Sequence, residues 1–223
     1  LYEASEELLR TTLRDTVYRM DPTRGVGRLR VVAPGGDSRE IFCRVSSGLG
    51  ISEVLGEDSA FYAQRISATF LAHDPYWYSV GDTAIVYTGD TEVATFFPFF
   101  PLRLSASSVF VNDSAISNPG DLEAWPVWTI EGPGSNIVMS NLTTDQSLTL
   151  NTAVSSGQSV TIDTRPGAKT VLNDDGTSLF PLMTATSTLF SLQRGDNHIQ
   201  VAMDSTSSTS AIRLAFRPRY FAP

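Results

Sequence analysis

Residues 120–133 read Gly-Asp-Leu-Glu-Ala-Trp-Pro-Val-Trp-Thr-Ile-Glu-Gly-Pro. A turn signal stands at each end, and between them lies a run whose side chains alternate if it is extended. Trp125, Val127 and Thr129 then face one way and Pro126, Trp128 and Ile130 the other, because successive side chains of a strand point to opposite faces. Large apolar groups on both faces call for cover on both, as in a sandwich interior or a subunit contact. Pro126 has no ladder N–H, so it belongs at an edge or at the strand's beginning.

Working downstream, residues 108–116, 124–131, 136–142, 147–150, 159–163, 169–172, 188–192, 198–203 and 211–217 all read as short strands. Explicit turn chemistry separates them: Pro166-Gly167 suits a type II turn, Asp175-Gly176 a hairpin turn with positive φ, and Gly195-Asp196-Asn197 a third reversal. Val160 and Ile162, then Ile199, Val201 and Met203, then Ile212, Leu214 and Phe216 supply inward faces. Many short strands with regular turns predict an antiparallel β-sandwich over residues 102–223.

Upstream, residues 1–20 carry Leu9, Leu13 and Val17 at four-residue spacing with Met20 three further on, which is one helical stripe. Acidic residues lie early and arginines late, matching the helix dipole. Glu6 with Arg10 and Asp15 with Arg19 are favourable i,i+4 pairs worth about 0.3 kcal/mol each. Asp21-Pro22 and Gly25 stop the helix. Residues 28–32 and 40–45 alternate about Pro34-Gly35-Gly36-Asp37 and predict a hairpin, residues 46–58 an irregular projecting loop, and residues 60–73 a long strand ending in Asp74-Pro75-Tyr76-Trp77-Tyr78. Residues 81–101, with Phe96, Phe97, Phe99 and Phe100 interleaved with prolines, form the expected interdomain segment between residues 1–80 and 102–223.

Composition narrows the function. The 223 residues carry a net charge of −8, with 41% hydrophobic and 18% charged residues, as a globular protein does. Up to Val80 there are nine basic and eleven acidic residues, after it seven and thirteen, and Lys169 is the sole lysine. No basic patch marks a nucleic-acid grip. No apolar run approaches the roughly 20 residues that span a bilayer, so membrane insertion is not expected. The single cysteine, Cys43, excludes an internal disulfide and reads as a small buried apolar group.

Catalytic chemistry is hard to assemble. His73 and His198 each sit alone in a strand pattern, and His73 and Asp74 point to opposite faces. Asn173-Asp174-Asp175 lacks the alternating acids of a calcium loop and reads as a tight turn. Asp163 with Asp174 or Asp175 has the residue types of a glycosidase pair but no separation legible in sequence. The reading is a non-enzyme with no metal and no cofactor.

The ordered motifs resemble those of the siphovirus distal tail protein family. Asn118-Pro119-Gly120-Asp121, Trp125-Pro126 and Ile130-Glu131-Gly132 resemble its N-x-G-D … P … I-x-G signature. Val160-Thr161-Ile162-Asp163-Thr164-Arg165 resembles its I-D-T strand, and Lys169-Thr170-Val171 leads to the Asp-Gly hairpin. The run from Leu192 to Ile199 resembles L-x-P-G-x-N-x-I, with Arg194 where the family has proline, leaving Gly195 and Asn197 to make the turn. Upstream, residues 70–78 resemble the D-P-Y-W-Y segment that closes the family's first domain. The likeness runs over most of residues 60–220, whereas residues 1–59 match only as helix and hairpin pieces.

What the resemblance implies is a mainly β protein. Part of a small ring-forming β-barrel domain, with one N-terminal helix and several N-terminal strands missing, would precede a galectin-like antiparallel β-sandwich. The chain would then be the C-terminal portion of a longer virion structural protein. Its homo-oligomer would be a hexameric ring joining the tail tube to the tail tip or baseplate, assembled in the host cytoplasm. Partners would be a tail-tube protein, a tail-tip hub protein and a receptor-binding protein, with DNA only passing through the lumen. The alternative is a carbohydrate-binding sandwich that contacts host surface glycans. Trp77, Trp125, Trp128, Phe97 and Phe99 are the residues expected at a glycan or protein contact.

Overall fold

The computed structural model describes residues 6–52, 65–88 and 109–223. The chain divides into two compact units, Leu1–Trp77 with Ala222–Pro223, and Tyr78–Phe221. The phenylalanine-proline run expected to act as a hinge, with Phe97 and Phe99, lies outside the described residues.

In the first unit the expected helix is α1 (Glu6–Arg19), which buries Leu9 and carries the Asp15–Arg19 ion pair at 2.8 Å. Asp21 accepts from the Thr23 N–H at 2.9 Å and from its hydroxyl at 2.7 Å, capping a 3₁₀ turn that ends at Gly25. The hairpin follows as β1 (Gly27–Val32) and β2 (Ser38–Ser52), in register from Gly27↔Cys43 to Val32↔Ser38. Residues 46–52, expected in a loop, instead extend β2 along β3 (Arg65–Leu71). Register shifts between Val45 and Ser47 and between Ser47 and Gly50 show why: bulges absorb the serine and glycine positions without breaking the pairing. β1, β2 and β3 pair antiparallel around β2, and no closed barrel forms among the described residues. Cys43 is buried, and that burial pushes its thiol pKa up.

The second unit is a sandwich of two antiparallel sheets. After β4 (Trp77–Ser79) come β5 (Thr83–Thr88), β6 (Val109–Asn118), β7 (Val127–Glu131), β8 (Gly134–Asn141) and β9 (Gln146–Val154). They are followed by β10 (Ser159–Asp163), β11 (Thr170–Asn173), β12 (Gly195–Asp204), β13 (Ala211–Phe216) and β14 (Arg219–Tyr220). One sheet runs β11-β10-β7-β13-β5, the other β6-β12-β8-β9. Residues 83–88, expected between domains, are instead the edge strand of the first sheet, in register with β13 from Thr83↔Phe216 to Thr88↔Ala211. Their alternation is weak, with Tyr87 alone buried, which is why the segment does not read as a strand from its sequence.

The alternation expected of the opening stretch holds. Pro126, Trp128 and Ile130 are buried while Trp125, Val127 and Thr129 are half-buried. Pro126 immediately precedes β7, a strand flanked on both sides by β10 and β13, so the proline costs no ladder bond. Trp128 meets Phe190 edge-on, with ring centroids 6.1 Å apart and planes at 78°. Ile162, Leu214, Ile137, Met139, Leu148, Ile199 and Val201 complete a core drawn from both sheets.

Two glycines of this region are fixed by close approach. A Cβ on Gly120 would lie 2.7 Å from Arg219 O and 2.8 Å from Arg219 N. One on Gly132 would collide with the carbonyls of Val154 and Ser155. Gly120→Ala is expected to lower stability by about 1–3 kcal/mol through overpacking against backbone, read from the urea midpoint at unchanged m-value.

Candidate functional site

Polar residues that carry the signature hold loops. Asn118, buried at the end of β6, donates from Nδ2 to Leu122 O at 2.9 Å and Leu192 O at 3.2 Å. Its Oδ1 accepts from the Gly120 N–H at 3.1 Å. Asp121 donates its N–H to Arg219 O at 2.8 Å and accepts from the Phe221 N–H at 3.2 Å. The Ser191 hydroxyl donates to Glu123 Oε2 at 2.7 Å. Asn197, fully buried, accepts from the Gln193 N–H and donates to Gln193 O, both at 2.8 Å, and to Gly195 O at 3.0 Å. Buried Asn141 donates to the Asn197 Oδ1 at 3.3 Å. With Arg194 at the proline position, the turn rests on Gly195 and this amide.

The I-D-T strand serves the same purpose. The Thr164 hydroxyl donates to Pro126 O at 2.6 Å, pinning the start of β7. Asp163, 8% exposed, accepts from the Arg165 N–H and Nε, both at 2.9 Å, and from its Nη2. Burial pushes the Asp163 carboxyl up, but those hydrogen bonds and the Arg165 charge draw it net below the usual carboxylate range. A depressed folded-state pKa stabilises above the unfolded value of about 3.9 and is lost as pH falls through the folded value. Asp163→Asn is therefore expected to cost about 1–2 kcal/mol at neutral pH. Urea titrations from neutral pH down past pH 4 should show the gap to wild type closing on the acid side.

The other candidate groups are equally occupied. Asp175 Oδ1 accepts from the Thr177 N–H at 2.7 Å within its own turn, while Asp163 is engaged by Arg165. His198 Nδ1 lies 2.8 Å from Asp113 Oδ1 on an exposed surface, and His73 is exposed in the other unit. Among the described residues no three His, Cys, Asp or Glu side chains gather as metal ligands, and no helix is long and apolar enough to cross a membrane.

Residues 119–220 match the family model described as siphovirus-type tail component, C-terminal domain. Over these residues the chain is similar to that tail domain. The crystal structure of the SPP1 Dit (gp 19.1) protein, described as a paradigm of hub adsorption apparatus in Gram-positive infecting phages, shares the fold. Its TM-score is 0.60 at 11% identity, over 98% of this chain and 74% of that one. No curated protein matches the sequence. The matched tail domain begins and ends on the loops just described, from the Pro119-Gly120 turn to β14.

Of the expected contact residues, Trp128 is sealed in the core and presents no ring to solvent, because β7 places it opposite Trp125. Trp77 and Trp125 are half-buried. Trp125 carries the Lys169 ammonium 5.7 Å from its ring centroid. Phe97 and Phe99 lie outside the described residues. Residue pattern does not disclose a surface groove of about 490 Å³ lined by Lys169, Phe180, Met183, Thr184, Ser187 and Thr188. The one signal for it in the sequence is Lys169 itself, a single lysine set beside a β-strand.

Proposed function

We propose that the chain is a structural, non-enzymatic part of a long non-contractile phage tail. It closes into a hexameric ring between tail tube and tail tip or baseplate, and its sandwich serves as an attachment platform for host-recognition proteins. The observation that carries this reading is the use made of the tail-domain signature: its polar residues are spent on holding loops rather than presented to a substrate. The SPP1 Dit fold across nearly the whole chain supports it.

Further support comes from β1, all six of whose residues are exposed, with Leu29 and Val31 each at 38% and Val32 at 64%. An exposed apolar strand is a liability unless another chain covers it. The net charge of −8 suits a lumen that lets DNA pass without gripping it. In the proposed virion the protein stands at the tail tip, assembled in the host cytoplasm with tail-tube, hub and receptor-binding proteins. Electron microscopy and native mass measurement of the full-length protein should find six-fold rings, dispersed by Leu29→Glu. A strict monomer, alone and beside tail-tube protein, would refute the proposal.

A second reading, a sandwich that contacts host glycans, has one observation in its favour. Trp125 keeps part of its ring exposed and holds Lys169 at the wall of the surface groove.

A further inference from the structure

The geometry points to a binding site for an anionic saccharide, a sugar bearing a phosphate or carboxylate, in the groove between Lys169 and Phe180. This rests on the glycan-contact reading and adds to it the ligand's charge and the residues that select it.

The groove lies where the segment after β11 crosses from one sheet to the other. Leu179 N–H bonds to Val171 O at 2.8 Å, and Thr184 and Thr188 N–H bond to Thr149 O at 3.1 Å and Ser147 O at 2.8 Å along β9. Both flanks are thus fixed by backbone bonds, so the groove keeps its shape. At about 490 Å³ it has the size of a small-ligand site.

Three features of its wall select the ligand. Phe180 leaves 47% of its surface in water, and a flat exposed ring is a platform for the C–H face of a sugar. Thr188 offers a hydroxyl that no hydrogen bond of the described residues uses, beside the Thr184 and Ser187 hydroxyls, which bond to each other at 2.8 Å. Lys169 supplies charge. It makes no ion pair among the described residues, in a chain where acids outnumber bases by 24 to 16. Its ammonium lies 5.7 Å from the Trp125 ring centroid, a cation–π contact that narrows its range and reduces the entropy lost when it meets an anion. Trp125 is a positioning residue here, and Phe180 is the stacking surface.

Binding of glucose 6-phosphate, glucose and inorganic phosphate to the full chain, followed by saturation-transfer NMR, tests the assignment. Glucose 6-phosphate is expected to bind at millimolar concentration, about tenfold tighter than glucose and tighter than phosphate alone, as one charge-assisted bond gives. Lys169→Gln should erase the preference for the phosphorylated sugar, and Phe180→Ala should weaken both sugars alike, each with an unchanged melting temperature. Equal affinity for glucose and glucose 6-phosphate, or a preference that survives Lys169→Gln, overturns the anionic site while leaving glycan contact standing. Phosphate binding as tightly as the sugar phosphate overturns the saccharide assignment. Failure of both sugars to bind overturns the glycan-contact reading along with it.

Discussion

Replacing Trp128 by alanine is expected to destabilise the second unit by about 3–5 kcal/mol, the range for deleting a large buried aromatic side chain. The ring is fully buried between the sheets and meets Phe190 at 6.1 Å, so its loss removes core surface from both layers and one edge-to-face contact. The cavity would be apolar and too well framed by ladders to collapse. Trp128→Phe should be far milder, because the indole N–H has no hydrogen-bond partner and its removal relieves a desolvation cost that offsets part of the lost volume. Trp125→Ala, on the opposite face of the same segment, should cost only about 1 kcal/mol, since its ring is half-exposed and its partner is a solvated ammonium. Urea unfolding of the three variants checks the series. Equal losses at Trp125 and Trp128 would mean that β7 is not in the observed register.

That register is legible in the residues alone because the opening stretch combines a period of two with a proline at its start. The inward residues of β10, β12 and β13 are legible for the same reason, and all are buried. The Asp175-Gly176 turn is also readable: Gly176 has φ +83°, and Asn173 and Thr177 close the hairpin across a three-residue loop. Sequence is silent where pattern is weak or tertiary. β5 presents almost no alternation, so only its ladder to β13 defines it as a strand. The extension of β2 past Ser46 depends on bulges that look like loop residues. Residues 188–192 read as a strand, yet they make a single bridge, Ala124↔Leu192, because their inward Leu189, Phe190 and Leu192 plug the core between the sheets. As for the site, residue types disclose the lack of a familiar catalytic set but not the groove beside Lys169. A groove is made by segments that meet in space without any shared spacing in the chain.

The other large effect belongs to Asn197. Its amide is fully buried and both of its ends are occupied: Oδ1 accepts from the Gln193 N–H and from Asn141, and Nδ2 donates to Gln193 O and Gly195 O. Asn197→Ala leaves those groups without their partner beside a fully buried side chain, at roughly 1–3 kcal/mol for each one that water does not re-solvate. A loss of about 3 kcal/mol or more is expected, constant across pH. Asn197→Asp is the sharper test because it keeps the shape and changes the proton count. A carboxylate there can accept from Gln193 N–H but faces the Gln193 and Gly195 carbonyls, so burial and those acceptors favour its protonated form. Its folded-state pKa would be raised. The charged form therefore destabilises above the unfolded value of about 3.9, and the deficit shrinks as pH falls through the raised folded value. Asp163→Asn removes a carboxylate held by a guanidinium and Asn197→Asp adds one set against carbonyls, so the deficits of both variants, each measured against wild type at every pH, shrink toward acid. If Asn197→Asp instead lost stability toward acid, the amide would not be donating to that turn, and the role assigned to the signature asparagine would fall.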